Sequence, residues 1–136
     1  MNQLYKYCME GDINKLKLLL NENPNINIHE SNDWPFMICC VYEHIDIIKF
    51  IINISEKYSG RKIYIHGHDD YAFRYSCTRG NIDIAHLLIK ISIKYSYKLI
   101  NINYFGTSDF YSTKVYQFMQ SIGNYIDTMK YNMIIL

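Results

Sequence analysis

The residues with the richest chemical potential lie close together, in His66-Gly67-His68-Asp69-Asp70. His66, His68 and Asp70 are spaced by two, so two imidazoles and a carboxylate can converge on a divalent ion. A small metal-dependent hydrolase is the function class this cluster opens. A second set is Cys8, Cys39, Cys40 and Cys77. Zinc favours cysteine pairs two to four residues apart with a matching second pair, and that arrangement is missing. His29, His44 and His86 are scattered. No Ser or Cys nucleophile has a base at a recognisable spacing, and no Gly-rich loop is suited to phosphate.

The frame around these residues is small. A chain of 136 residues fits one domain or one short repeat array, and 49% hydrophobic residues argue against disorder throughout. A net charge of +1 argues against nucleic acid or an anionic membrane as the main partner. No apolar run reaches about 18 residues, so no membrane-spanning helix is expected. Met1 to Met9 is polar and mixed, unlike a secretory leader, so a cytoplasmic protein without disulfides is expected. Ile, Tyr, Asn and Lys make up 61 residues and Ala only two, the bias of an AT-rich genome. Helices here must be built from β-branched isoleucine, so packing has to supply what propensity does not.

The chain repeats itself at a spacing of 37 residues. Asp33-Trp34-Pro35-Phe36 falls on Asp70-Tyr71-Ala72-Phe73, and Ile45-Asp46-Ile47 falls on Ile82-Asp83-Ile84. Tyr58-Ser59 falls on Tyr95-Ser96, and Ile26-Asn27-Ile28-His29 falls on Ile63-Tyr64-Ile65-His66. The register holds without a gap from Ile26 to Asn103. Cys8, Cys40 and Cys77 are spaced 32 and 37 apart, and Gly11, Glu43 and Gly80 follow them at the same spacings. The units are 2–29, 30–66 and 67–103, with a degenerate fourth over 104–122 and a C-terminal capping segment over 123–136.

Each unit reads as a short helix, a break, a longer helix and an extended stretch. Asp33 and Asp70 are placed to cap the short helices, with Pro35 tolerated in a first turn. Gly11 and Gly80 permit the tight turn between helices. The longer helices carry Ile45, Ile47, Phe50 and Ile51, matched by Ile82, Ile84, Leu87 and Leu88. Lys62 to His66 alternates as an extended arm does. One such pair cannot bury its own apolar face, whereas stacked pairs can.

These residues resemble the ankyrin repeat. Trp34-Pro35-Phe36-Met37-Ile38-Cys39-Cys40 sits where that family has T-P-L-H-L-A-A. Gly80-Asn81-Ile82-Asp83-Ile84-Ala85-His86-Leu87-Leu88 is similar to its G-H-x-x-I-V-x-x-L-L, and Asn25-Ile26-Asn27 to its D-V-N. Asp70-Tyr71-Ala72-Phe73-Arg74 resembles the variant in giant DNA viruses of the mimivirus type, which share the composition bias. The resemblance implies an all-α solenoid of three to four units, with β-hairpin-like connections. It also implies that the cysteines are small buried fillers in place of alanine. His66, His68 and Asp70 resemble part of the H-x-H-x-D-H motif of the metallo-β-lactamase fold, but Tyr71 stands where the last His belongs.

Ankyrin proteins usually bind a partner on a concave face made of hairpin tips and short-helix ends. The resemblance carries that face onto Glu30, Ser31, Asp33 and Tyr42, then onto His68, Asp70, Thr78 and Arg79, then onto Tyr104 and Phe105. The expected function is protein–protein interaction without catalysis, metal or cofactor, by a monomer whose partner is a protein, with the viral resemblance implying a host protein. The alternatives are a self-associating structural protein and the hydrolase built on His66, His68 and Asp70.

Overall fold

The computed structural model of the protein describes residues 2–95, Ile100 and Ser121. Among these the architecture is all-α. Six helices occur: α1 (Gln3–Glu10), α2 (Ile13–Glu22), α3 (Glu30–Val41), α4 (Ile45–Ser59), α5 (Gly67–Thr78) and α6 (Ile82–Lys94). None is long and apolar enough to cross a membrane. The chain divides into two compact units, Met1–Ala72 and Phe73–Leu136. The expected fourth repeat and the capping segment lie outside the described residues.

The first unit is built from helix pairs. Asn2 caps α1 by accepting from the Leu4 N–H at 2.8 Å, and Asp12 caps α2 by accepting from the Lys15 N–H at 3.0 Å. Helix α1 packs on α2 and on α3, and α3 packs on α4. Leu4, Cys8, Leu16, Phe36, Met37, Cys39, Ile47, Ile48 and Ile51 are almost wholly shielded from water. Each such Leu, Ile or Phe contributes about 1.5–3 kcal/mol of burial.

The junctions between paired helices follow the residues expected there. Gly11 and Gly80 adopt φ of +74° and +72°, where a side chain is strained. Glu43 occupies the equivalent turn at φ +65° and bears that strain. Gly11 has a second reason to be glycine, since a Cβ there would lie 2.5 Å from the His44 ring. The ring reaches over the turn to the Met9 carbonyl, 2.8 Å from Nε2. A carbonyl only accepts, so Nε2 carries the hydrogen.

The starts of α3 and α5 depart from the expected caps. Ser31, Asn32 and Asp33 have φ of 52°, 58° and 63°, and His68, Asp69 and Asp70 have φ of 54°, 57° and 57°. Each triplet is one turn of left-handed helix leading into a right-handed one. The same backbone bond closes both, from Asp33 N–H to the His29 carbonyl and from Asp70 N–H to the His66 carbonyl, each 3.2 Å. An N-cap normally sits in extended backbone and hands its carboxylate to the helix. Here the left-handed backbone turns both carboxylates back, onto His29 and His66 respectively. Asp33 and Asp70 are therefore turn residues with buried side chains, not exposed caps.

The connections differ too, because no strand forms among the described residues. Ile63 and Ile65 are buried and Tyr64 exposed, so the alternation of the arm is real. Its amides, however, are taken by side chains. The Ile63 N–H donates to Ser55 Oγ at 3.3 Å and the Tyr64 N–H to Asp33 Oδ2 at 2.9 Å. With those donors engaged, there is no ladder for a hairpin to complete.

The longer helices bury only half of the expected face. Ile47, Ile51, Ile84 and Leu88 are buried, Ile45, Phe50 and Leu87 are half-buried, and Ile82 is 46% exposed. The buried stripe takes in Ile48 and Ser55 on α4, and Ala85, Ile89 and Ser92 on α6.

Candidate functional site

Burial sorts the surface expected from the sequence. Ser31, Tyr42 and His68 are exposed in the first unit. Glu30 is half-buried, and its Oε1 accepts from Asn2 Nδ2 at 2.8 Å. Asp33 and Asp70 must be withdrawn from that surface, at 0% and 8% exposed. Their carboxylates are spent inside the turns. Thr78 and Arg79 are exposed in the second unit, with the Thr78 hydroxyl donating to the Arg74 carbonyl at 2.9 Å. Tyr104 and Phe105 lie outside the described residues.

Trp34 joins the exposed group, although sequence reasoning treated it only as a replaced threonine. It is 37% exposed and meets the His68 ring edge-on, with centroids 5.8 Å apart. An aromatic of that size is thus left partly in water beside a second ring, outside the core. The repeat alignment held the signal, since Trp34 stands one residue after Asp33 as Tyr71 does after Asp70.

The three candidate metal ligands do not converge. His66 is buried with Nδ1 on Asp70 Oδ1, while His68 is exposed against Trp34. Among the described residues no group of three His, Cys, Asp or Glu side chains is placed to hold a metal ion. The cysteines are free and buried, as alanine-like fillers would be. Burial pushes the Cys77 thiol up to about 12 and raises those of Cys39 and Cys40 as well. Those three are not ready thiolates.

The structure assembles one constellation that spacing did not reveal. His29 Nδ1 meets Asp33 Oδ1, and His29 Nε2 meets Ser59 Oγ, thirty residues away. Asp33 Oδ2 also accepts from Arg61 Nη1 at 3.0 Å and from the Tyr64 N–H at 2.9 Å. The order Ser–His–Asp is that of a hydrolytic triad. Hydrogen counting decides against that use. Ser59 Oγ lies 2.6 Å from the Ser55 carbonyl, which only accepts, so the single hydroxyl hydrogen goes there. Nε2 is then the donor to Ser59, whereas a triad needs it to accept. The His–Asp element also recurs 37 residues on, as His66 and Asp70. A device repeated in consecutive turns is architectural. In the first of the two turns His29 also ties the left-handed backbone to Ser59 at the end of α4.

An open groove forms between the longer helices of the first unit. It measures about 440 Å³ and is lined by Leu20, Asn21, Pro24, Phe50, Ile54, Lys57 and Tyr58. Tyr58, in the lining, donates its hydroxyl to the Asn23 carbonyl at 2.9 Å, and partial burial raises the phenol above its ordinary range. Lys17 Nζ stands 5.3 Å from the centroid of the Phe50 ring. The lining comes from two segments some thirty residues apart, so no local pattern marks it. Comparison with protein-family models, with curated proteins and with solved structures finds no match to this chain.

Proposed function

We propose that this protein is a non-catalytic binding module of ankyrin-repeat type, engaging a protein partner through the side chains that its turns present. The carrying observation is the pair of left-handed turns at His29–Asp33 and His66–Asp70, each closed by a His–Asp contact. Three residues of left-handed backbone cost roughly 3–6 kcal/mol at about 1–2 kcal/mol each, somewhat less for Asn and Asp. That cost is met twice, at equivalent positions, to hold Ser31, Trp34 and His68 outward on a rigid frame. A rigid tip loses little entropy on binding. The partner-binding set is Glu30, Ser31, Trp34, Tyr42 and His68 in the first unit, with Thr78 and Arg79 in the second. The AT-rich composition and the Asp70-Tyr71-Ala72-Phe73-Arg74 segment support a viral source, a host protein as partner and a cytoplasmic setting. The protein acts as a monomer without a cofactor.

The test is a pull-down from host-cell lysate with wild type and with Trp34→Ala/Tyr42→Ala, both baits matched for helix content by circular dichroism. A protein held by the wild type and lost from the variant is the expected result. The same proteins on both baits, or none above background, would overturn the reading.

A further inference from the structure

The groove between α2 and α4 lies apart from the turns and stands on separate observations. Its floor is apolar, from Leu20, Phe50 and Ile54. Lys57 lines it and Lys17 lies over the Phe50 ring. Both lysines are exposed, and among the described residues no ion pair engages either. The nearby carboxylate Glu56 is directed to Lys62 at 4.0 Å instead. The volume of about 440 Å³ suits one or two apolar side chains rather than a whole helix. An apolar slot with one cation in its lining, Lys57, and a second, Lys17, over its Phe50 ring selects an apolar anchor flanked by carboxylates.

We infer that this groove docks a short acidic segment of a partner protein, with an aromatic side chain of that segment on Phe50 and Ile54 and flanking carboxylates at Lys17 and Lys57. This site does not depend on the ankyrin reading or on the turn residues.

The probe is a fluorescein-labelled peptide, Asp-Glu-Phe-Glu-Asp with both ends blocked, followed by anisotropy against the full chain. Two controls replace its acids by Lys, or its Phe by Ala. The expected result is micromolar binding of the acidic peptide, weakened as salt rises, with neither control binding comparably. The charge-reversed protein Lys17→Glu/Lys57→Glu alters only exposed side chains. It should bind the acidic peptide at least about tenfold more weakly and gain affinity for the basic one. That swap separates a charge-selective groove from mere loss of folding. Equal binding of acidic and basic peptides overturns the inference, as does no binding at millimolar protein or no response to charge reversal. A mass that rises with protein concentration, and falls on charge reversal, would overturn it in favour of a second copy as occupant. Retained peptide binding by Trp34→Ala/Tyr42→Ala is expected, and keeps this test separate from that of the turns.

Discussion

Replacing Asp33 by asparagine isolates the strap from the backbone strain it holds. Asparagine tolerates left-handed backbone about as well as aspartate, so the turn itself is not penalised. What changes is the hydrogen-bond count. The carboxylate accepts from His29 and from Arg61 and Tyr64 on its two oxygens. Asparagine offers one oxygen and one NH2. With its oxygen toward Arg61 and Tyr64, the amide NH2 faces His29 Nδ1, which must then give up its hydrogen; turned the other way, the NH2 is set against the Tyr64 N–H and the Arg61 guanidinium. Asp33 is fully buried, so losing the charged acceptor is not relieved by water. A hydrogen bond to a charged group contributes about 1.5–3 kcal/mol, and a stranded buried donor costs about 1–3 kcal/mol. The Arg61 contact adds little, because that side chain is 50% exposed. The expected loss is about 2–4 kcal/mol, near the range for breaking a buried pair. Urea unfolding followed by circular dichroism measures it against Asn32→Asp, the reverse exchange at an exposed residue of the same turn with φ of 58°. That control should stay within about 0.5 kcal/mol of wild type. If Asp33→Asn costs no more than Asn32→Asp, the strap does not hold the turn and the account of α3 and α5 is wrong.

Other outcomes follow from the same geometry. Glu43→Gly should be about 1 kcal/mol more stable than Glu43→Ala, because φ of +65° strains any side chain there and both variants lack the carboxylate; equal thermal midpoints for the two variants would contradict this. Gly11→Ala should lower stability by about 2 kcal/mol or more, since the new methyl meets the His44 ring and drives it from the Met9 carbonyl. His44→Ala in the same background should recover part of the loss, as a double-mutant cycle would reveal. The buried thiols should react slowly with Ellman's reagent in the native protein at pH 8 and all four promptly in denaturant. Cys77, pushed up to about 12, has almost no thiolate at that pH; rapid native labelling of Cys77 would contradict its burial.

Much of the local architecture was legible in residue order because it depends on neighbours in the chain. Gly11 and Gly80 mark turns that need positive φ, and the structure places both there. Asn2 and Asp12 cap helices with bonds two or three residues long, and the sequence reading, which looked for caps only at Asp33 and Asp70, missed both. The burial of Cys8, Cys40 and Cys77 follows from their register in the repeat. The expected helix faces were half right. Periodicity locates an apolar stripe to within a turn, but Ile82 and Ile45 differ from Ile84 and Ile47 only in what lies opposite them.

What residue order could not disclose depends on distant partners. Asp33 and Asp70 look like caps until left-handed backbone points their carboxylates inward. Each histidine four residues earlier is then a partner rather than a ligand or a tip residue. Ser59 is thirty residues from His29, and Leu20 is thirty from Phe50, so neither the strap nor the groove has a local pattern. The extended arm alternates as a strand does, yet its amides go to Asp33 and Ser55, and that choice exists only once α3 and α4 are packed. By itself the sequence determined the helices, the turns between them and the 37-residue period, since these arise from short-range dihedral and hydrogen-bonding preferences. The tertiary structure alone decided which polar groups are buried and which apolar ones stay in water, because that depends on what each side chain meets across the fold.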